Sequence, residues 1–545
     1  MAPNTLARRS SSVSPASLAV AALLAFAVPA AADDRPIYAN PVLGYRVALP
    51  EGDWTFVRNP PFPLTDLVIF SPVDESNFVV HVDRAEAPAP TLEEGGLADA
   101  AAAWKASLLG NAYEEAGDVE ARFEEFRGLP SYLFAADATA KGTLERRRLS
   151  RRFLVKGNVL FFIDTKRPAG AGEATVRGLE NAERTFEFYE PAEIEGGRFS
   201  PRGQFFTVPL PEGWTVAESK SEGEIFRARL AGPQDALLSV EVARAPDEEL
   251  LKEAASKSLA EFLVGSAGTA QGPVATANEK GIVTYGQDYA AGGRRGKAWV
   301  FAKERRLYKV RAEGGAARVL YEGLELLRDL SVDLEPEREA EREEREGERL
   351  YYAGDFERAA VHFERSLKSF SRNADARVFL GLIAYRAERW DEALLHLRGA
   401  RALFPVSDSI QTSFARSALL AGHAALSEKP PDLAKARERF ADAAPVAKRL
   451  GGELAEEAGI AWNAMGVQAL SDGRYTQAAD YLEKAIEVHD IPLYHDNLAS
   501  IYFNEAVELA NKGNIPRAKD RLRAALKAKP DFAEAMEALA KLGGR

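Results

Sequence analysis

The 545-residue sequence contains no cysteine. That excludes disulfides, thiolate metal sites, thiol nucleophiles and a lipid-bearing N-terminal cysteine. It also has no excess of positive charge: 70 Lys and Arg stand against 82 Asp and Glu, a net −12. Phosphate contacts need a positive surface, so a nucleic-acid partner is disfavoured. Long apolar runs are missing as well. Ser17–Val28 is an apolar run of twelve residues, too short to cross a bilayer. No later stretch approaches the ~20 apolar residues that a membrane span needs. Histidine is sparse: His81, His362, His396, His423, His489 and His495. None forms H-E-x-x-H, and His489 and His495, each followed by an aspartate, have no third ligand nearby. No G-x-S-x-G or other nucleophile constellation stands out. Gly292 to Ala298 has a superficial P-loop look, but it is one residue short and Ala298 replaces the Ser/Thr, so it reads as a β-turn. The expectation is therefore a protein that is no enzyme and uses no cofactor or metal.

The N-terminus does carry a signal. Arg8 and Arg9 precede the apolar run, and Ala30-Ala31-Ala32 follows it as an A-x-A cleavage site before Asp33. Residues 1–32 thus read as a Sec-type secretory signal peptide, which places the mature chain in the periplasm or outside the cell. Its removal takes away both arginines and no acid, moving the net charge from −12 to −14. The length beyond it predicts several domains.

Residues 36–190 and 198–334 read as two copies of one α+β domain. Arg46–Trp54 has its counterpart in Phe206–Trp214, and Val80–Ala85 in Val240–Ala245. The helix Leu97–Leu109 corresponds to Leu251–Leu263, and the closing helix Thr175–Arg184 to Ala316–Leu327. The strands Arg148–Lys156 and Val159–Lys166 form a hairpin about Gly157-Asn158, matched by Trp299–Lys303 and Leu307–Val310. This order, a V-x-L-P-x-G-W opening, a strand meander and a late helix, resembles the PsbP-like fold. That fold is an antiparallel sheet flanked by helices, found in photosystem accessory proteins and bacterial envelope proteins. Trp54 and Trp214 read as core residues beneath their sheets. Arg146, Arg147, Arg148, Arg151 and Arg152 read as a charged edge strand, with an anion or lipid-headgroup site as the alternative.

Residues 337–542 follow a different rule. Ala359 to Ala393 and Gly347 to Gly381 are each 34 residues apart, with Phe356 or Trp390 preceding the alanine. Small residues at that period let paired helices approach closely while large residues fill the space around them. The pattern resembles the tetratricopeptide (TPR) repeat. Five helix pairs are expected, one of them enlarged and divergent over about 408–450, followed by a capping helix near Asp531–Leu542. Glu337–Arg349 reads as a solvated first helix, with Glu341/Arg345 supporting it and Glu344/Glu348 opposing it at i,i+4.

The resemblance implies a non-enzymatic adaptor that binds protein partners, an envelope complex among the possibilities. The groove would be lined by helix-A positions. These include Glu344, Glu348, Tyr351 and Tyr352; Val378, Leu382, Tyr385 and Arg386; Asn463, Val467 and Leu470; and Asp496, Ser500, Phe503 and Asn504. Of these, Tyr351, Tyr352, Tyr385, Arg386, Asn463, Val467, Phe503 and Asn504 are the expected partner contacts. The Lys/Asn/Arg carboxylate clamp of chaperone-binding TPRs is not present in the sequence. The alternative reading is a small-ligand or lipid-binding envelope protein that uses a pocket in a PsbP-like domain. N-terminal sequencing of protein recovered from the envelope fraction should begin at Asp33; recovery of intact Met1 would refute the leader.

Overall fold

The structure is a computed structural model. It describes residues 35–543 apart from 59, 111, 142–144, 245–250, 265–267, 280–281, 292, 304–305, 331–332 and 406. The leader expected over residues 1–32, and its boundary after Ala32, lie outside the described residues. The chain forms two compact units. One ends at Asp375 and also takes in Ala402–Phe404; the other comprises Ala376–Arg401 and Pro405–Arg545.

The first α+β domain has a small sheet of β1 (Ile37–Asn40), β2 (Tyr45–Ala48) and β11 (Glu187–Phe188). Its main sheet contains β3 (Thr55–Arg58), β4 (Thr65–Phe70), β5 (Asn77–Arg84), β6 (Tyr113–Ala116), β7 (Glu120–Phe126), β8 (Leu129–Ala140), β9 (Arg146–Lys156) and β10 (Val159–Pro168). The order is β3-β4-β5-β10-β9-β8-β6, with β7 also on β8, and every pair is antiparallel. Helix α1 (Leu97–Gly110) follows β5, and α2 (Glu173–Thr185) follows β10. Leu67, Ile69, Phe78, Val80, Leu154 and Phe161 alternate onto one face and pack with Leu179 and Ala182 of α2.

The second domain repeats the plan. Its small sheet contains β12 (Ile194–Glu195), β13 (Arg198–Phe199), β14 (Phe206–Pro209) and β22 (Glu325–Leu326). Its main sheet is β15 (Thr215–Glu222), β16 (Ile225–Ala231), β17 (Leu237–Arg244), β18 (Thr269–Glu279), β19 (Ile282–Ala291), β20 (Arg294–Lys303) and β21 (Arg306–Glu313). The order β15-β16-β17-β21-β20-β19-β18 matches the first domain strand for strand, with β18 in place of β6 and β7. Helices α3 (Leu251–Val264) and α4 (Gly315–Glu322) hold the places of α1 and α2. Trp54 and Trp214 each stand one residue before the first strand of the main sheet, and both are 8% exposed. Each ring lies against a glycine: a Cβ on Gly178 would be 2.6 Å from Trp54, and one on Gly232 would be 2.3 Å from Trp214.

Two expectations need correction. Strand β9 is not an edge strand, because β8 and β10 flank it. The closing helix of the second domain does not run to Leu327. It stops at Glu322, and the chain then pairs with β14 through Glu325 and Leu326; Gly323 lets it pass Pro209, whose ring a Cβ would approach to 2.4 Å.

The remaining elements are helices: α5 (Glu335–Tyr352), α6 (Phe356–Ser369), α7 (Ala374–Arg386), α8 (Trp390–Leu403), α9 (Asp408–Ser427), α10 (Leu433–Leu450), α11 (Gly452–Ser471), α12 (Tyr475–Val488), α13 (Pro492–Asn511), α14 (Ile515–Ala528) and α15 (Ala533–Gly543). Helices α5 and α6 lie in the first unit; from Ala376 on, apart from Ala402–Phe404, the helices form the second. Within pairs the turns repeat. Gly354, Gly473 and Gly513 take positive φ at the end of the first helix, and Glu388 takes the same left-handed geometry in α7–α8. Asp355, Asp432 and Asn514 then cap the second helix, accepting from Arg358, Lys435 and Arg517 N–H groups. In α11–α12 a Cβ on Gly466 would sit 1.9 Å from Leu482 Cδ2. Gly466→Ala should therefore lower stability by ~1–3 kcal/mol in urea unfolding, whereas an unchanged midpoint would show that this crossing has slack.

Candidate partner-binding groove

The first helix of each pair in the second unit, namely α7, α9, α11 and α13, divides its residues between two faces. Helix α11 shows the division most clearly. Trp462 and Met465 are 1% and 0% exposed and join the core with Phe440, Tyr481 and Leu482. On the other side, at i, i+3 and i+7, Ile460 is 50% exposed, Asn463 is half-buried and Val467 is 53% exposed. Large aliphatic side chains left in water two turns apart on one face are not needed by the core.

Polar contacts join this face from helix to helix. Arg416 of α9 lies 3.4 Å from Glu457 and 3.5 Å from Glu453 of α11. Burial pushes the Glu457 carboxyl up, and the nearby Arg416 opposes that rise. Asn497 of α13 donates to the Asn463 side-chain oxygen at 2.8 Å. Asp496 pairs with Lys529 at 3.0 Å. Val507, two turns beyond Ser500, is exposed.

The expected contact residues fall into distinct environments. Asn463, Val467 and Asn504 lie on the open faces of α11 and α13. Tyr385 is half-buried, edge-on to Trp390 at 5.5 Å, and burial raises its hydroxyl pKa. Arg386 is exposed, one residue further along α7. Phe503 packs on Phe532 of the terminal helix segment at 5.3 Å. In the first unit, Tyr351 stands edge-on to Tyr352 at 5.4 Å and to Phe356 at 5.3 Å. Tyr352 carries the Lys141 ammonium 5.7 Å from its ring centre. Two mapped groove positions are interior instead. Val378 is 1% exposed, and Glu348 is 5% exposed because its face of α5 turns inward. Sequence reasoning did not single out Ile460, Arg416 or Asn497, although Ile460 lies seven residues before Val467 and so on the same helical face.

The alternative sites fare differently. All five arginines of β9 face acids: Arg146 and Arg148 meet Asp137, Arg147 meets Glu145, Arg151 clasps Asp164 at 2.8 and 2.6 Å, and Arg152 bridges Glu124 and Glu183. An anion would have to displace these partners. Within the first unit a polar pocket is lined by Tyr38, Arg58, Asp66, Lys303, Glu325 and Arg328, with a cavity volume of about 20 Å³. That is room for about one water. Its Asp66 accepts from Tyr38 at 3.1 Å, from Asn40 at 3.0 Å and from Tyr45. His495 pairs with Asp490 at 2.7 Å. Among the described residues no three His, Cys, Asp or Glu side chains are placed to hold a metal ion, and no helix is long and apolar enough to cross a membrane.

The tetratricopeptide-repeat family model matches residues 345–408 and 503–543, so these helices are TPR repeats. Among curated proteins, none matches the chain. Among solved structures, a thermophilic TPR protein of Thermus thermophilus is 20% identical with TM-score 0.18, covering 37% of this chain and 98% of its own. A TPR repeats protein of Bacteroides fragilis is 13% identical with TM-score 0.28, covering 38% and 98%. The cyanobacterial PsbP of Synechocystis is 18% identical with TM-score 0.23, covering 28% and 91%.

The two faces of the helices should respond differently to substitution. Arg416→Ala, which removes part-buried ion pairs to Glu453 and Glu457, should cost only about 1–2 kcal/mol in the free energy of unfolding. Trp462→Ala, in the core, should cost ~3–5 kcal/mol by the same denaturant titration.

Proposed function

We propose that the protein is a non-enzymatic, exported adaptor that binds a protein partner along the open face of its TPR helices. The observation that carries the reading is the exposed Ile460–Val467 stripe on α11, beside the bonded Asn463 and Asn497 amides. Aliphatic side chains supply contact area, and amide pairs supply donors and acceptors for a peptide backbone or polar side chains. Tyr385 and Arg386 extend the same chemistry onto α7, and Phe503 and Asn504 onto α13. In the first unit, Tyr351 and Tyr352 are separate candidates. Export, to the periplasm or beyond, rests on the leader in residues 1–32, and an envelope complex is the partner class that such an address favours. The small-ligand or lipid reading is not favoured by the polar pocket of Tyr38, Arg58, Lys303 and Glu325, which has room for about one water.

The test is a quantitative pull-down from the native envelope fraction. Ile460→Asp combined with Val467→Asp should weaken partner capture about tenfold or more while leaving the melting temperature near that of the parent, since buried apolar anchors dominate such interfaces. Tyr385→Ala with Arg386→Ala should act in the same direction. Undiminished capture by both variants would place the partner site elsewhere.

A further inference from the structure

Helix α5 meets the first α+β domain through two kinds of contact. At its N-terminal end the contact is a pin. Leu330 and Leu334 share the core of Tyr45, Val80 and Phe161. Glu337 accepts the Leu64 N–H at 2.7 Å and pairs with Arg328, and Arg338 clasps Asp83 at 2.7 and 3.1 Å.

Two turns on, the contact is a buried acid cluster. Glu344 accepts from Asn373, whose amide also donates to Ser366 at 2.9 Å; Ser366 in turn donates to the Ala340 carbonyl at 2.9 Å. Glu348 and Asp375 are 5% and 7% exposed, and Lys166 of β10 and Arg147 of β9 are each 4% exposed. The other groups facing the cluster are Glu341, Arg345 and Tyr352 of α5, Tyr113 of β6, Lys141 after β8, Glu145 before β9 and Glu75 before β5. Arg147 is already bound to Glu145 and to the Asp74 carbonyl at 3.2 Å. The cluster therefore gathers three carboxyls, two almost wholly removed from water and the third, Glu344, half-buried.

We propose that this cluster makes the seating of α5 and α6 on the first domain a proton-dependent joint, hinged just beyond the Arg338–Asp83 pin and closed in acid. Glu344, Glu348 and Asp375 are the protons' seats. Burial lifts Glu344 to about 7, and burial plus the neighbouring carboxyls lifts Glu348 and Asp375 well above the ordinary range. In an open joint the solvated glutamates return to 4.5 and the aspartate to 3.8. The closed state thus binds more protons than the open one. Its advantage is full below those ordinary values and declines as pH rises toward and through 7. Lys166 works in the opposite sense. Burial lowers it to about 8 from 10.5, so its offset falls mainly above the pH range in which Glu344 titrates. The closing constant changes about tenfold per pH unit for each proton taken up. A lever anchored at Arg338 and titrated at Glu344 and Glu348 spans roughly 9–15 Å of helix, enough to move α6 measurably.

The absence of cysteine supplies the assay. Asp118→Cys and Glu357→Cys, both at exposed positions, allow a dye pair to be placed on the full-length chain. Energy transfer should fall as pH rises from roughly 5.5 to 8.5 while far-UV ellipticity holds. Glu344→Gln with Glu348→Gln and Asp375→Asn should keep transfer high across the range. Glu348→Gln alone, the milder variant, should flatten the response in part. A wild-type signal that ignores pH, an undiminished response in both amide variants, or helix melting in step with the transfer change would each overturn the joint.

Discussion

The helical part of the chain depends on one contact made repeatedly: a residue with almost no side chain facing a large one across a helix pair. Gly347 faces Phe363, Gly381 faces Leu397, Gly422 faces Phe440 and Gly466 faces Leu482. At each, a Cβ would approach its neighbour to between 1.9 and 2.9 Å. In α13–α14 the small residue is Ala506, packed in the same cluster as Leu522. The partner follows sixteen residues later in four of the five pairs and eighteen in α9–α10. Each such contact fixes which side of the first helix is spent on its partner. The open face is what packing leaves over.

This explains what could be read in the sequence. A contact that recurs every 34 residues is visible as a period, and so the first two helix pairs are legible residue by residue. The enlarged repeat is legible too, because Lys429-Pro430-Pro431 ends α9 and the Ala436/Phe440 spacing restarts the pattern. The strands split into two groups. Those around a tight hairpin, β9 and β10, announce themselves through Gly157-Asn158. Strand β4 does not: all six residues of Thr65–Phe70 are buried, so alternation is absent. Strand β18 is illegible for a different reason. Its described side chains are mostly exposed, and a register shift between Gln271 and Ala275 breaks the period.

Charge misled where apolar pattern did not. The run Glu337–Arg349 has the composition of a solvated helix, and its Glu341/Arg345 pair does form. Yet Glu348 is as buried as many leucines, because the rest of that face meets the first domain through ions and hydrogen bonds. Composition states how costly a face is to dehydrate. It does not state whether tertiary partners will meet that cost. The arginines of β9 teach the same lesson: five cations on one strand suggested an edge or an anion site, and the structure gives them Glu and Asp partners within a central strand.

The two duplicated domains show how much of this is local. They share a strand order, a tryptophan before the first main strand and a closing helix, so the backbone plan follows from the common pattern. Their edges differ in charge. Strand β7 carries Glu120, Arg122, Glu124 and Glu125, whereas β18 has no charged residue before Glu279. The paired acids and bases also differ, with Arg152 bridging Glu124 and Glu183 in one copy and Glu241 held by Arg227 and Lys309 in the other. In the first copy two of these acids belong to the edge strand and the closing helix; in the second the anchor lies within the sheet. One topology therefore tolerates two unrelated sets of ionic contacts. That is the physical reason a fold can be legible from apolar periodicity while its polar contacts emerge only in the folded structure.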